Sequence, residues 1–353
     1  MSEQVRSALA AVIDGRSLSV DEARGAMGSV MDGEATQAQL AALLVALRMR
    51  GETVDELAGF AAAMRERVTP VDAPEGIVDT CGTGGDGSGT FNISTAAALV
   101  VAAAGVPVAK HGNRAITSQS GSADVLDALG VRIDHDAASA GAALRDIGFA
   151  FLFAPTFHPA MKHAGPTRRE IGVRTAFNLL GPLTNPAGAK RQMIGVADPN
   201  AAARIAEVLH VLGTEHSIVV HGDGLDELPV DGTGVFYQVT PSGVTRHTIE
   251  DTWALSIRPY PTSALGGGTP AENAAIIEGL FRGPLTFGAA REVVILNAGA
   301  GLFVAGVVDA LRSGVDLARE TIDEGRVAAL LDRLREERRA AVTSRSVGES
   351  APA

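Results

Sequence analysis

Asp79-Thr-Cys-Gly-Thr-Gly-Gly-Asp-Gly-Ser-Gly-Thr-Phe-Asn-Ile-Ser-Thr95 sets the fold of this chain. Five glycines fall between Gly82 and Gly89, and Asn92-Ile-Ser-Thr95 opens an apolar run of helical texture. Glycine reaches positive φ without penalty and lets the backbone pass close to a ligand, so such a loop can aim several N–H groups at one point. A helix beginning near Ser94 adds its own N-terminal donors and the positive end of its dipole. With Ile77-Val-Asp79 read as a strand before it, the stretch is a strand, a glycine loop and a helix that together cradle phosphate.

Gly82, Gly84 and Gly87 also match the dinucleotide fingerprint Gly-x-Gly-x-x-Gly. That fingerprint needs its helix to open within the motif and an acid to close the next strand against a ribose. Here the helix starts late, and the next strand runs into Lys110-His-Gly-Asn-Arg114, whose cations suit phosphate. Phosphate binding ranks first, a nicotinamide site second and a plain flexible connection third.

Beyond the loop, strand and helix patterns alternate. Strands are expected at Val106–Ala109, Val131–Ile133, Phe149–Phe153, Gln192–Ala197 and His216–Val220, and helices at Ala123–Leu129 and Asn200–Leu212. This predicts an α/β fold with a mostly parallel central sheet over residues 73–342, its ligands bound beyond the carboxyl ends of the strands. Residues 1–72 predict a small all-helical N-terminal domain of four amphipathic helices. Ser19-x-x-Glu22 and Thr53-x-x-Glu56 are capping boxes, and Leu40, Leu43, Leu44 and Leu47 recur at helical spacing. Pro70-Val-Asp-Ala-Pro74 marks the hinge between the two. Short proline-punctuated helices are expected between Pro155 and Pro186. Val293–Val304 reads as a buried helix or a strand, with Asn297 and the small residues favouring helix; a charged helix is expected from Gly314 to about Ala341, and a disordered tail over 343–353.

The 353 residues are 46% hydrophobic but only 4% aromatic, so the core must be aliphatic. A net charge of −11 argues against nucleic acid or an anionic membrane as partner, and an anionic substrate then needs a local basic pocket. The single cysteine, Cys81, excludes an internal disulfide and reads as a small residue ending a strand rather than a nucleophile. With no signal peptide and no long apolar run, a soluble cytoplasmic protein is expected.

Lys110-His-Gly-Asn-Arg-Ala-Ile-Thr-Ser-Gln-Ser-Gly-Ser-Ala-Asp124 brings cations, an imidazole, an amide and hydroxyls to the same sheet edge as the glycine loop. Two such loops side by side would hold a doubly phosphorylated ligand. Asp223-Gly-Leu-Asp226-Glu227 ends a strand; its carboxylates could be metal ligands, an acid/base couple or an ordinary turn. Beside a polyphosphate site the balance moves to Mg2+, which takes one or two carboxylates plus substrate oxygens, and Ser94 could add an oxygen.

Gly82-Thr-Gly-Gly-Asp86, Asn92-Ile-Ser-Thr95, Lys110 to Asp124, Asp226-Glu227 and Arg174-Thr-Ala-Phe-Asn-Leu-Leu-Gly-Pro-Leu-Thr-Asn-Pro186 together resemble the anthranilate phosphoribosyltransferases, in order and over nearly the whole chain. The resemblance implies transfer of the phosphoribosyl group of phosphoribosyl pyrophosphate (PRPP) to the amine of anthranilate in tryptophan biosynthesis. It implies a homodimer through the helical domain, to which a segment near 168–190 returns. It implies PRPP contacts at Gly82, Gly85, Asp86, Thr90, Asn92, Ile93, Ser94 and Thr95, and at Lys110, His111, Gly112, Asn113, Arg114, Ala115, Ile116, Thr117, Ser118 and Ser122. Gly82, Asn113 and Arg168 would face anthranilate, with Arg169 the adjacent alternative, and Ser94, Asp226 and Glu227 would hold Mg2+. No dedicated acid or base is implied, since an aromatic amine is unprotonated at neutral pH; His111 or His158 could still accept the late proton. A pyrimidine nucleoside phosphorylase-like enzyme and a catalytically silent PRPP-binding regulator are the competing readings.

Overall fold

The computed structural model describes residues 1–115, 119–222, 224–249, 255–283 and 287–349, with side chains to 343. Helices α1 (Glu3–Ile13), α2 (Val20–Met31), α3 (Gln37–Arg50) and α4 (Val54–Arg65) come first. Ser19, Thr36 and Thr53 form reciprocal capping boxes with Glu22, Gln39 and Glu56, satisfying N–H groups that helix starts leave orphaned. Leu40, Leu43, Leu44 and Leu47 are buried in a core that Ala176, Phe177, Leu180 and Leu183 also enter.

The α/β part follows as β1 (Val78–Gly82), α5 (Ile93–Ala103), β2 (Val108–Gly112), α6 (Ser122–Ala128), α7 (Ala137–Asp146) and β3 (Phe149–Phe153). Short helices α8 (Ala154–Phe157), α9 (Gly165–Ile171) and α10 (Phe177–Leu180) lead to β4 (Arg191–Gly195), α11 (Pro199–Val211) and β5 (His216–His221). A hairpin of β6 (Val235–Thr240) and β7 (Gly243–Thr248) precedes α12 (Pro270–Arg282), α13 (Ala289–Ala305), α14 (Leu311–Asp323) and α15 (Arg326–Glu349). The seven strands run in the order β3-β2-β1-β4-β5-β6-β7, the first five parallel and the last two antiparallel. Successive strands build one way from β1 to β3 and the other way from β4 to β5. The order reverses beside β1, so the crevice of this sheet opens at its carboxyl end, where the glycine loop lies.

Three differences from the sequence reading have local causes. Val131–Ile133 is not a strand: the Val131 amide donates to Leu126 O at 2.9 Å and Arg132 reaches Glu337 at 3.1 Å, so the stretch wraps the end of α6 against α15. The charged C-terminal helix is broken at Gly325, whose φ of +74° ends α14 and starts α15. No glycine or proline then interrupts the chain before Gly348, and α15 runs through residues 343–349, where a disordered tail was expected. The expected buried helix at Val293–Val304 is α13, apolar on all sides and packed closely enough on α14 that a Cβ at Gly299 would lie 2.6 Å from Val315 N.

Candidate active site

β1 and β5 deliver the acidic centre. Asp226 and Glu227 follow β5, and the loop after β1 folds onto them: Gly84 N–H donates to Asp226 Oδ2 at 3.1 Å, and Ser94 N–H, in the first turn of α5, donates to Glu227 Oε1 at 2.9 Å. A Cβ at Gly82 would sit 2.6 Å from Asp226 Oδ2, so a side chain there would displace that carboxyl. Burial and the neighbouring Asp86 carboxylate push Asp226 up to about 7, and burial together with Asp226 holds Glu227 well above the usual carboxylate range. Two adjoining buried carboxylates that resist ionisation are the donor chemistry a hard divalent cation relieves. Among the described residues no group of three or more His, Cys, Asp or Glu could hold an ion alone, so further oxygens would come from water or substrate. Asp223 lies outside the described residues.

Asn92 joins the two loops expected to hold phosphate. Its Oδ1 accepts from Ser120 Oγ and from Asn273 Nδ2, both at 3.0 Å, and its Nδ2 donates to Ser120 O at 3.1 Å. Thr90 makes a β-bridge with Gly266, and Gly267 N–H donates to Gly89 O at 2.8 Å, so the segment before α12 braces the glycine loop. Asp86 accepts from Ser88 Oγ at 2.6 Å and also faces the Asp226 carboxyl. Asn113 O accepts from Ser122 Oγ at 3.3 Å, and Gly112 leaves no room for a Cβ beside that hydroxyl. Gly85 and Ala115 line the same two loops; Ile116, Thr117 and Ser118 lie outside the described residues.

Four of the residues expected to contact the donor are buried or paired within the fold. Lys110 is 1% exposed and donates to Thr80 O, with Asp79, Glu227 and Asp226 supplying the nearby negative charge. Its ammonium lies within reach of the field of these buried acids. Arg114 is paired with Asp124 at 2.8 Å and with Asp127 at 3.5 Å, so its charge is already engaged. Ile93 is buried and its N–H donates to Phe91 O at 2.7 Å. Thr95 is buried with its hydroxyl unpartnered inside the fold, away from solvent.

On the facing side, His111 Nε2 meets His158 Nε2 at 3.2 Å. Burial, then the adjoining ring, pushes His111 down to about 3, and burial pushes His158 down to about 4, so both are neutral at physiological pH. The sign for stability follows from the depressed values. The unfolded chain gains these protons as pH falls through 6.5 while the folded chain refuses them until about 4, so stability drops across that window. His158→Asn should flatten the fall of Tm between those pH values, and a slope unchanged from wild type would refute the account. Arg168 on α9 lies over the Phe177 ring at 4.9 Å, and no carboxylate pairs with it among the described residues.

Asn297 was noted in the sequence only as a helix residue. It is fully buried on α13, accepts from Leu228 N–H at 2.9 Å and donates to Leu228 O at 3.0 Å and Val293 O at 2.8 Å. It thereby fixes the backbone one residue past Glu227. Asn297→Ala should cost about 3 kcal/mol in equilibrium denaturation by orphaning buried partners, and a loss below about 1 kcal/mol would contradict this role.

Comparisons with known proteins agree with this geometry. A glycosyl transferase family model for an α/β domain matches residues 74–328, and a model for that family's helical bundle domain matches residues 6–68. The anthranilate phosphoribosyltransferase of Thermomicrobium roseum is 49% identical over 94% of this chain and 96% of its own length. That of Azorhizobium caulinodans is 50% identical with the same coverages, 94% and 96%. The crystal structure of the Thermus thermophilus enzyme superposes with a TM-score of 0.88 at 46% identity, covering 94% of this chain and 99% of that one. The Saccharomyces cerevisiae enzyme in complex with PRPP and Mg superposes with a TM-score of 0.84 at 25% identity, covering 96% and 99%. The chain belongs to the anthranilate phosphoribosyltransferase family of glycosyl transferases.

Proposed function

We propose that this protein transfers the phosphoribosyl group of PRPP to the amine of anthranilate, giving N-(5-phosphoribosyl)anthranilate and pyrophosphate in tryptophan biosynthesis. The observation that carries the reading is the meeting of the glycine loop with Asp226 and Glu227 at the switch point of the sheet. The pyrophosphate would lie along the loops braced by Asn92, facing main-chain N–H groups, and Asp226, Glu227 and Ser94 would hold Mg2+. When bound, that ion supplies charge neutralisation for the departing diphosphate. Gly82, Asn113 and Arg168 would hold anthranilate, the guanidinium pairing with its carboxylate so that the ortho amine meets the anomeric carbon. An uncharged His111–His158 pair beside the acceptor leaves a neutral imidazole available for the proton that the amine sheds.

The domain reading is part of the proposal: a helical unit over 1–72, an α/β unit from 73, and residues 168–190 returning to the first. Shared burial of Phe177 and Leu180 with α1 to α4 supports it. A homodimer through the helical unit is supported by the exposed Ile13, Val45 and Met49 on α1 and α3. A cytoplasmic location is supported by the lone cysteine, and no described helix is long and apolar enough to cross a membrane.

Loss of anthranilate fluorescence on mixing purified protein with PRPP and Mg2+ tests the reading directly. Phosphorolysis of thymidine without that loss would favour the phosphorylase alternative, and binding of PRPP without turnover would favour the silent regulator.

A further inference from the structure

We infer that Arg174 is a positioning residue that holds the glycine loop in its donor-binding shape from across the crevice. The inference rests on the donor reading of that loop given above.

α9 ends at Gly172, whose φ of +68° turns the chain out of the helix. Two residues on, Arg174 reaches back to the loop after β1: its Nη1 donates to Gly84 O at 3.1 Å and to Gly85 O at 3.3 Å. Both glycines have positive φ, 64° and 72°, and a Cβ at Gly85 would collide with the Arg174 guanidinium. Gly85 is therefore the only residue type that admits this arginine without displacing it.

The consequence follows from peptide geometry. In a trans peptide the N–H points opposite to the C=O, and these peptides are trans. Drawing the Gly84 and Gly85 carbonyls toward Arg174 turns the N–H groups of Gly85 and Asp86 away from the guanidinium. On the other side the Gly84 N–H is already held by Asp226. The loop is thus pinned from both faces, with the Gly85 and Asp86 donors committed to one direction before any ligand arrives. A run of glycines left alone would sample many shapes, and ordering it on binding would cost affinity. Arg174 is exposed, so its two bonds contribute little to global stability; their effect lies in orientation.

Arg174 also sits six residues after Arg168, on the segment proposed to carry the acceptor site. One short stretch therefore serves both substrates, through Arg168 directly and through Arg174 by way of the loop.

Arg174→Ala should raise the KM for PRPP and the Kd for pyrophosphate about tenfold, leave the anthranilate KM within about twofold, and leave Tm unchanged. Arg174→Lys, which can still donate to both carbonyls, should recover most of the loss. Equal loss for both substrates, an unchanged KM for PRPP, or an alanine effect that lysine does not relieve would each overturn the assignment. The clasp can also be read without turnover. In the ligand-free protein, Arg174→Ala should speed amide hydrogen exchange in the peptide spanning residues 82–90 and not in α5. Unchanged exchange there overturns the inference even if the transferase reading stands. Absence of transfer by the wild-type protein, with faster exchange in the variant, would instead overturn the transferase reading and leave the clasp intact.

Discussion

The double variant Asp226→Asn, Glu227→Gln should fold normally and lose roughly a thousandfold in turnover at millimolar magnesium, about 4 kcal/mol of transition-state stabilisation. The amide oxygens can still accept from the Gly84 and Ser94 N–H groups, so the loop and the first turn of α5 keep their anchors. What disappears is the negative charge that would hold a divalent cation against the leaving diphosphate. Burial of both carboxylates sets the direction of a second readout. Between pH 3.8 and about 7 the folded chain keeps a proton on Asp226 that the unfolded chain has shed, so metal-free stability falls as pH rises through that window. Magnesium should raise Tm of the wild type at about pH 8, where the carboxylate is free to bind it, and do little at about pH 5.5. The amide variant should lack both the pH slope and the magnesium response. A magnesium titration of activity that the double substitution leaves unchanged would remove these residues from the metal site.

The parts of this site that were legible in the sequence are those where one residue type is concentrated beyond its ordinary use. Five glycines before an Asn-x-Ser-Thr admit few interpretations, and an adjacent acidic pair at a strand end beside such a loop admits few more. The internal pairing of Lys110 and Arg114 was not legible, because charge is visible in a sequence and pairing is not. The acids that engage them are Asp79 on the neighbouring strand and Asp124 and Asp127 on α6. Asn273 and Asn297 were invisible for a related reason: each acts on a loop more than 60 residues away, and only the closed fold brings them together, through separations of 181 and 69 residues. The β6–β7 hairpin and α12 carried usable signals that went unread. Val235-Phe-Tyr-Gln-Val-Thr240 is rich in β-formers and is followed by Pro241-Ser-Gly243, while Thr269-Pro-Ala-Glu272 is a capping box with proline at the first helical position. Val131–Ile133 shows the opposite error, a short apolar run with no partner strand, which the fold uses to cover a helix end.

Arg168→Ala should raise the KM for anthranilate about a hundredfold, equivalent to about 2.7 kcal/mol, while the KM for PRPP stays within about twofold. The argument starts from the free protein. Arg168 is half-buried on α9, its guanidinium lies over the Phe177 ring at 4.9 Å, and desolvation lowers its pKa. Among the described residues it has no carboxylate partner, so a partly desolvated cation waits for an anion from outside. With the Phe177 ring on one side and no carboxylate partner among the described residues, the guanidinium can offer two parallel N–H donations to a carboxylate. Arg168→Lys should therefore recover little, because an ammonium neither stacks on the ring nor forms the fork. Removing the arginine should leave Tm unchanged or slightly higher, since no internal ion pair is lost. Arg169 provides the control: it is exposed on the same helix, and Arg169→Ala should alter neither KM. Should the Arg168 and Arg169 variants exchange behaviours, the acceptor site would shift by one residue. Should Arg168→Ala weaken both substrates equally, the guanidinium would be holding the crevice together rather than reading the carboxylate.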